Sequence, residues 1–278
     1  MTKPINYVIA LAILGVLATL SVILPIYMDD LVYRVLMLSG IAVIMAVSLN
    51  LINGFTGQFS IGHAGVQAVG AYVGAALTVY GHNDIFGHLP KDGQIGTGWI
   101  SLAVGAGPML ASMLAGGLAA ALIGYVVGLP SLRLRGDYLA IITLGFGEIV
   151  RIVALNLGAL GRSEGIINIP TPPTIFGIEY RFDSHRIYYW TLLVLILFAI
   201  WMVRRLSVRR AGRAWESIRQ DEDAAELLGV PTFKYKVWAF VLGASVGGAA
   251  GVFYASKTLF IAPDNFTLQI SILILACV

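Results

Sequence analysis

Long apolar stretches recur along the chain, separated by shorter polar or charged segments. They predict membrane-spanning helices at Ile5–Met28, Tyr33–Ile52, Ser60–Tyr80, Trp99–Gly128, Tyr138–Leu157, Ile187–Val203, Lys236–Tyr254 and Phe266–Val278. A helix needs about 20 apolar residues to cross a bilayer. The pattern therefore predicts an all-α fold, a polytopic transmembrane helical bundle of about eight spans, forming one domain over residues 1–278. The last stretch, from Ser271 to Val278, meets no polar stop. Helix-terminal carbonyls lack partners inside lipid, so the chain is expected to continue beyond Val278.

Composition reinforces this reading and excludes a water-soluble domain. Hydrophobic residues make up 58% of the chain and charged residues only 12%, against about 25% charged in soluble domains. The 32 glycines fit helices that approach closely in lipid. Gly243, Gly247 and Gly251 form one small-residue stripe, with Gly70/Gly74 and Gly124/Gly128 as weaker cases. A lone cysteine, Cys277, excludes an internal disulfide. The net charge is only +3, but eight of the 18 Lys and Arg residues fall between Arg204 and Lys236. In a membrane protein such a loop is first a topology signal, not a nucleic-acid patch. With Lys3 inside, Asp29 and Asp30 fall outside and Arg133 and Arg135 inside. The loop Gly158–Arg186 is then outside and the loop 204–236 inside. This alternation obeys the positive-inside rule, with the N-terminus and loop 204–236 in the cytoplasm.

Three segments depart from plain spans. Residues 50–65 are polar and glycine-rich between two apolar runs. They read either as a tight cytoplasmic hairpin or as a helix broken within the membrane. Broken helices of transporters use exposed backbone ends to bind solute. Second, Glu148 and Arg151 interrupt apolar sequence three positions apart, on one helix face. They either serve the solute path or a subunit interface, or pin the helix at the membrane boundary. Third, the loop residues 209–229 are amphipathic. Ala214, Ile218, Ala225 and Leu228 recur at helical spacing, and Gly229 with Pro231 ends the run. This helix either lies at lipid headgroups or docks a cytoplasmic partner. The acidic stretch Asp221–Glu226 opposes a purely lipid-facing role, since anionic headgroups would repel it.

Catalytic motifs are not evident. Residues 251–258 approach a phosphate-binding loop but lack its second glycine and end an apolar helix. ATP hydrolysis would have to occur on another chain. His63, His82, His88 and His185 have no zinc-like spacing. A gradient-driven carrier would need paired intramembrane carboxylates, for which only Glu148 is a candidate. A membrane enzyme would need clustered catalytic residues at one face.

The sequence resembles the permease subunits of branched-chain amino acid ABC importers, the LivM-type member. Residues 49–64, from Leu49 through His63, resemble the first signature of that family. Residues 132–151, Leu132-Arg-Leu-Arg-Gly-Asp-Tyr through Glu148-Ile-Val-Arg151, are a longer match. Residues 212–229, Gly212-Arg-Ala-Trp-Glu-Ser-Ile-Arg-Gln-Asp-Glu-Asp-Ala-Ala-Glu-Leu-Leu-Gly229, match its cytoplasmic motif. One departure is the charged segment Leu160-Gly-Arg-Ser-Glu-Gly165, where the family often has Thr-Gly-Gly.

The resemblance implies a permease in the bacterial inner membrane that takes up branched-chain or other small apolar amino acids. It implies a heterodimer with a sister permease and two cytoplasmic ATPase subunits. It also implies a periplasmic or lipid-anchored substrate-binding protein. This chain would bind no cofactor, ATP and Mg belonging to the ATPases. The coupling surface would comprise Arg213, Glu216, Arg219, Asp221, Glu222, Ala224, Ala225 and Gly229. The solute pathway would draw on Asn53, Thr56, Gln58, Ser60 and His63, with Glu148 and Arg151. A same-architecture permease for urea or short amides is the alternative.

Overall fold

The computed structural model describes residues 30–84, 99–131, 137–167, 169 and 185–278. The expected first span, Ile5–Met28, and Arg133, Arg135 and His88 lie outside the described residues. The described chain is almost wholly helical. Helix α1 (Asp30–Asn50) runs into a single π turn, Leu51–Phe55. After a non-helical passage comes α2 (His63–Asp84), followed by α3 (Trp99–Ser131) and α4 (Asp137–Asn156). Next are α5 (His185–Ser207), the short helices α6 (Arg210–Gln220) and α7 (Glu222–Leu227), the long α8 (Thr232–Thr258) and α9 (Leu268–Ala276). Two short strands, β1 (Ile166–Ile167) and β2 (Phe260–Ile261), pair antiparallel with Ile166 opposite Ile261.

Five stretches are long and apolar enough to cross a membrane: Leu31–Phe55, Met109–Ser131, Tyr138–Asn156, Tyr188–Ser207 and Thr232–Thr258. This matches five of the expected spans and makes the chain a multi-pass membrane protein. Two of the other expected spans differ at their starts. The span expected from Ser60 begins only at His63, because the chain before it is not helical. The span expected from Phe266 is a 3₁₀ turn, Pro263–Phe266, and then nine residues of α9.

Helix α8 is the axis of the bundle. Pro231 precedes it, as a residue without an amide donor can just before a helix, and Leu259 closes it with φ 55°. Its glycines let neighbouring backbones touch. A methyl group on Gly70 of α2 would overlap the backbone of Gly248, and one on Gly251 would overlap the Gln67 carbonyl. Gly117 and Gly124 of α3 lie over Ser245 and Ala244 of the same helix. Without Cβ atoms, α2, α3 and α8 pack by dispersion along their backbones, the mode favoured where lipid supplies no hydrophobic drive. Around this seam a larger apolar cluster joins Met37, Met45 and Leu49 of α1 to Tyr188 and Leu192 of α5 and Phe253 of α8.

Candidate functional site

The passage from α1 to α2 is the most polar part of the interior. Its geometry follows from the π turn, a helix irregularity frequent at functional sites. The amide of Gln58 reaches back to the Ile52 carbonyl at 3.2 Å, and the Thr56 hydroxyl donates to the same carbonyl at 2.6 Å. The helix thus closes on itself. Asn53 brackets the loop that follows. Its Oδ1 accepts from the Ser60 amide at 3.2 Å, and its Nδ2 donates to the Ser60 carbonyl at 3.5 Å.

Beyond Ser60 the chain climbs back into the bundle. The Ile61 amide donates to the Thr143 hydroxyl of α4 at 3.1 Å. The Ala64 amide, in the first turn of α2, donates to the Ser271 hydroxyl of α9 at 3.1 Å. Gly62 lies so close to the Thr143 carbonyl that any side chain would collide with it. His63 rests against Gly247, near the middle of α8. Its Nε2 lies 2.6 Å from the Ser48 hydroxyl, which also donates to the Met45 carbonyl at 2.8 Å. The passage therefore combines a turn at the end of the bundle that carries α6 with a re-entry to mid-bundle.

The sequence-named pathway residues divide accordingly. Thr56, Gln58, Ser60 and His63 are buried and Asn53 is half-buried. Thr56, Asn53 and His63 spend their polar atoms on the protein itself. Gln58 differs, since both its side-chain nitrogen and its oxygen are buried without a hydrogen-bond partner, an arrangement that costs free energy and is uncommon in interiors. Glu148 and Arg151 form the i,i+3 ion pair that their spacing implied, Nε to Oε2 at 2.9 Å. Arg151 also lies 3.6 Å from Asp264, a partner that sequence reading missed. A narrow crevice lies beside Glu148. It is lined by Gly62, Gly65, Gly147, Glu148, Thr267 and Ser271, so a carboxylate and the amino-terminal turn of α2 share one opening. Ser48, Thr143 and Ser271 were also missed. Serine and threonine within apolar helices carry little positional signal, because both commonly bond their own helix backbone.

The amphipathic loop is two helices, not one. Asp221 breaks the run with extended backbone (φ −158°), and its carboxylate accepts from the amides of Asp223 and Ala224, both at 3.0 Å. Gly229, at φ 83°, ends α7. Its amide donates to the Glu226 carbonyl and the Val230 amide to the Ala225 carbonyl, the paired bonds of a Schellman cap. Ala214, Ile218 and Ala225 are buried as the periodicity implied. Leu228 is not. The kink at Asp221 turns it outward, and Leu227 and Leu228 are 89% and 83% exposed. Arg213, Glu216, Arg219, Asp221, Ala224 and Gly229 are exposed as well.

Two contacts fasten this pair of helices to α8. The buried Trp215 indole donates to the Tyr235 carbonyl at 2.9 Å, and Glu222 pairs with the buried Lys236 ammonium at 2.5 Å. Residues 251–258 lie wholly within α8, so the resemblance to a phosphate-binding loop has no loop to support it. Among the described residues no group of three or more His, Cys, Asp or Glu side chains could hold a metal ion.

These features define a multi-pass membrane protein whose first described helix ends in a π turn and a polar passage, with a pair of short polar-faced helices appended. The branched-chain amino acid transport system / permease component family matches residues 31–278, and the chain belongs to that family. It is 36% identical to the high-affinity branched-chain amino acid transport system permease protein LivM of Escherichia coli K12, over 87% of this chain and 56% of that protein. The Salmonella typhimurium LT2 protein of the same name is 35% identical, over 86% of this chain and 55% of that one. A probable branched-chain amino acid transport permease protein LivM of Methanocaldococcus jannaschii is 27% identical, over 86% and 71%. The chain thus spans about half the length of the first two relatives. No solved structure matches it. Family membership makes the chain a transport permease component rather than an enzyme.

Proposed function

We propose that the chain is one of two permease subunits of an ATP-driven importer in the bacterial inner membrane, carrying branched-chain or other small apolar amino acids into the cytoplasm. The observation that carries this reading is the α6–α7 element. It is anchored to α8 by buried contacts, yet it presents two neighbouring leucines to solvent. Exposed leucines on a polar helix pair fit a protein partner better than water. Here that partner is a pair of cytoplasmic ATPases that bind ATP and Mg, so the N-terminus and loop 204–236 face the cytoplasm. A sister permease completes the path, and a periplasmic or lipid-anchored binding protein delivers solute on the other side.

The solute would cross beside the break. A zwitterion needs donors for its carboxylate and an acceptor for its ammonium. The amino-terminal end of α2 presents a favourable dipole, Glu148 lies across the same narrow cleft, and Gln58 has buried polar atoms without partners. The test is uptake of labelled leucine by vesicles holding the assembled complex. Uptake should require ATP and the binding protein, and Leu227→Arg should abolish both ATPase binding and uptake. Uptake without ATP, or uptake of labelled urea but not leucine, would overturn the assignment.

A further inference from the structure

The coupling surface read from sequence treats Arg219 as a contact for the ATPase. Its guanidinium points elsewhere. Nη1 donates to the Gly54 carbonyl in the π turn at 2.8 Å, while its stem and backbone lie against Gly57 (φ 69°). The Gly54 carbonyl is open to this bond for a structural reason. In an α-helix it would accept the Gln58 amide, but that amide is bonded to Ile52. A carbonyl left over at a helix C-terminus carries partial negative charge, and a cation is a favourable partner for it.

The surrounding contacts give this bond mechanical meaning. On one side, Trp215 and Glu222 fix α6 and α7 to the start of α8, and Trp215 packs with Leu51 of the π turn. On the other, Asn53 carries the turn onward to Ser60, three residues before His63. An unbroken series of contacts therefore runs from the appended helices through Arg219 to the break in the bundle.

We propose that Arg219 is a positioning residue that conveys displacement of the α6–α7 element to the Gly54–Gly57 turn, and through it to the polar passage entering α2. This rests on the importer reading above and reassigns one residue of its coupling surface. Arg219 then governs how much transport each ATP hydrolysed produces, while Leu227 and Leu228 govern whether the ATPases bind at all.

The experiment compares Arg219→Ala, Arg219→Lys and Leu227→Arg in the full chain, assembled with its partners in vesicles. It measures ATPase co-purification, ATP hydrolysis, labelled leucine uptake and the melting temperature. Arg219→Ala should co-purify with the ATPases and hydrolyse ATP normally, with uptake per ATP reduced about tenfold. Arg219→Lys, which still offers a donor to Gly54, should recover most of that ratio at an unchanged melting temperature. An unchanged ratio in Arg219→Ala would overturn the proposal, as would loss of the ATPases in that variant. Failure of Leu227→Arg to release the ATPases strikes the docking reading instead, so the two failures are distinguishable.

Discussion

The seam where α2, α3 and α8 meet and the passage between α1 and α2 lie side by side, yet they are held by opposite means. At its closest points the seam has no side chains between the helices. Its backbones touch because Gly70, Gly248 and Gly251 have nothing to hold them apart. The passage has one such close approach, at Gly62, and is otherwise held by single hydroxyls, amides and one guanidinium. Close packing has one solution and resists change in volume. Individual hydrogen bonds exchange partners at a net free-energy difference of about 1 kcal/mol. The contrast assigns the seam to the fixed scaffold and the passage to the part that can rearrange.

Substitutions can break this contrast, and the seam should show the largest effect. Gly248→Leu places a branched side chain where Ala120 and the Gly116 backbone already lie. A loss above about 3 kcal/mol is expected, read as a lower melting temperature or as loss of monodisperse protein in detergent. Glu222→Ala comes next. It leaves the Lys236 ammonium buried without this carboxylate, at about 2 kcal/mol, below the range for fully buried pairs because Glu222 is itself partly exposed. Adding Lys236→Met to that variant should restore most of the loss.

Ser48→Ala should cost about 1–2 kcal/mol by removing the hydroxyl from a fully buried imidazole, and Ser48→Thr should be milder. Asp221→Ala, which deletes the cap of α7, should cost about 1 kcal/mol. That loss should be seen as local amide exchange in residues 222–228, with the global melt little changed. If Ser48→Ala proved as damaging as Gly248→Leu, the passage would be scaffold too, and the contrast would fail.

Much of the seam was legible beforehand. Apolar runs marked the helices, and the four-residue spacing of Gly243, Gly247 and Gly251 marked the helix at the centre. The Glu148–Arg151 pair followed from three-residue spacing, and the end of α7 from a glycine and a proline. The passage was legible only as an anomaly in composition. Its partners come from remote helices, Ser48 from α1, Thr143 from α4 and Ser271 from α9, and a hydroxyl within an apolar run gives no sign of whether it faces its own backbone or another segment. The outward turn of Leu228 was missed for a related reason. Helical periodicity assumes an unbroken helix, and one aspartate capping the next turn resets the phase.

The ion pair on α4 also bears on how the protein is made. Asp264 lies far downstream of Arg151, so it does not yet exist when α4 is handed to the membrane during synthesis. A charge carried within the apolar span Tyr138–Asn156 is costly to insert. Glu148 sits one helical turn away on the same segment and offsets that cost from the moment the segment leaves the ribosome. Glu148 would thus escort an arginine whose second partner arrives late, and Glu148→Ala should lower the yield of membrane-inserted chains.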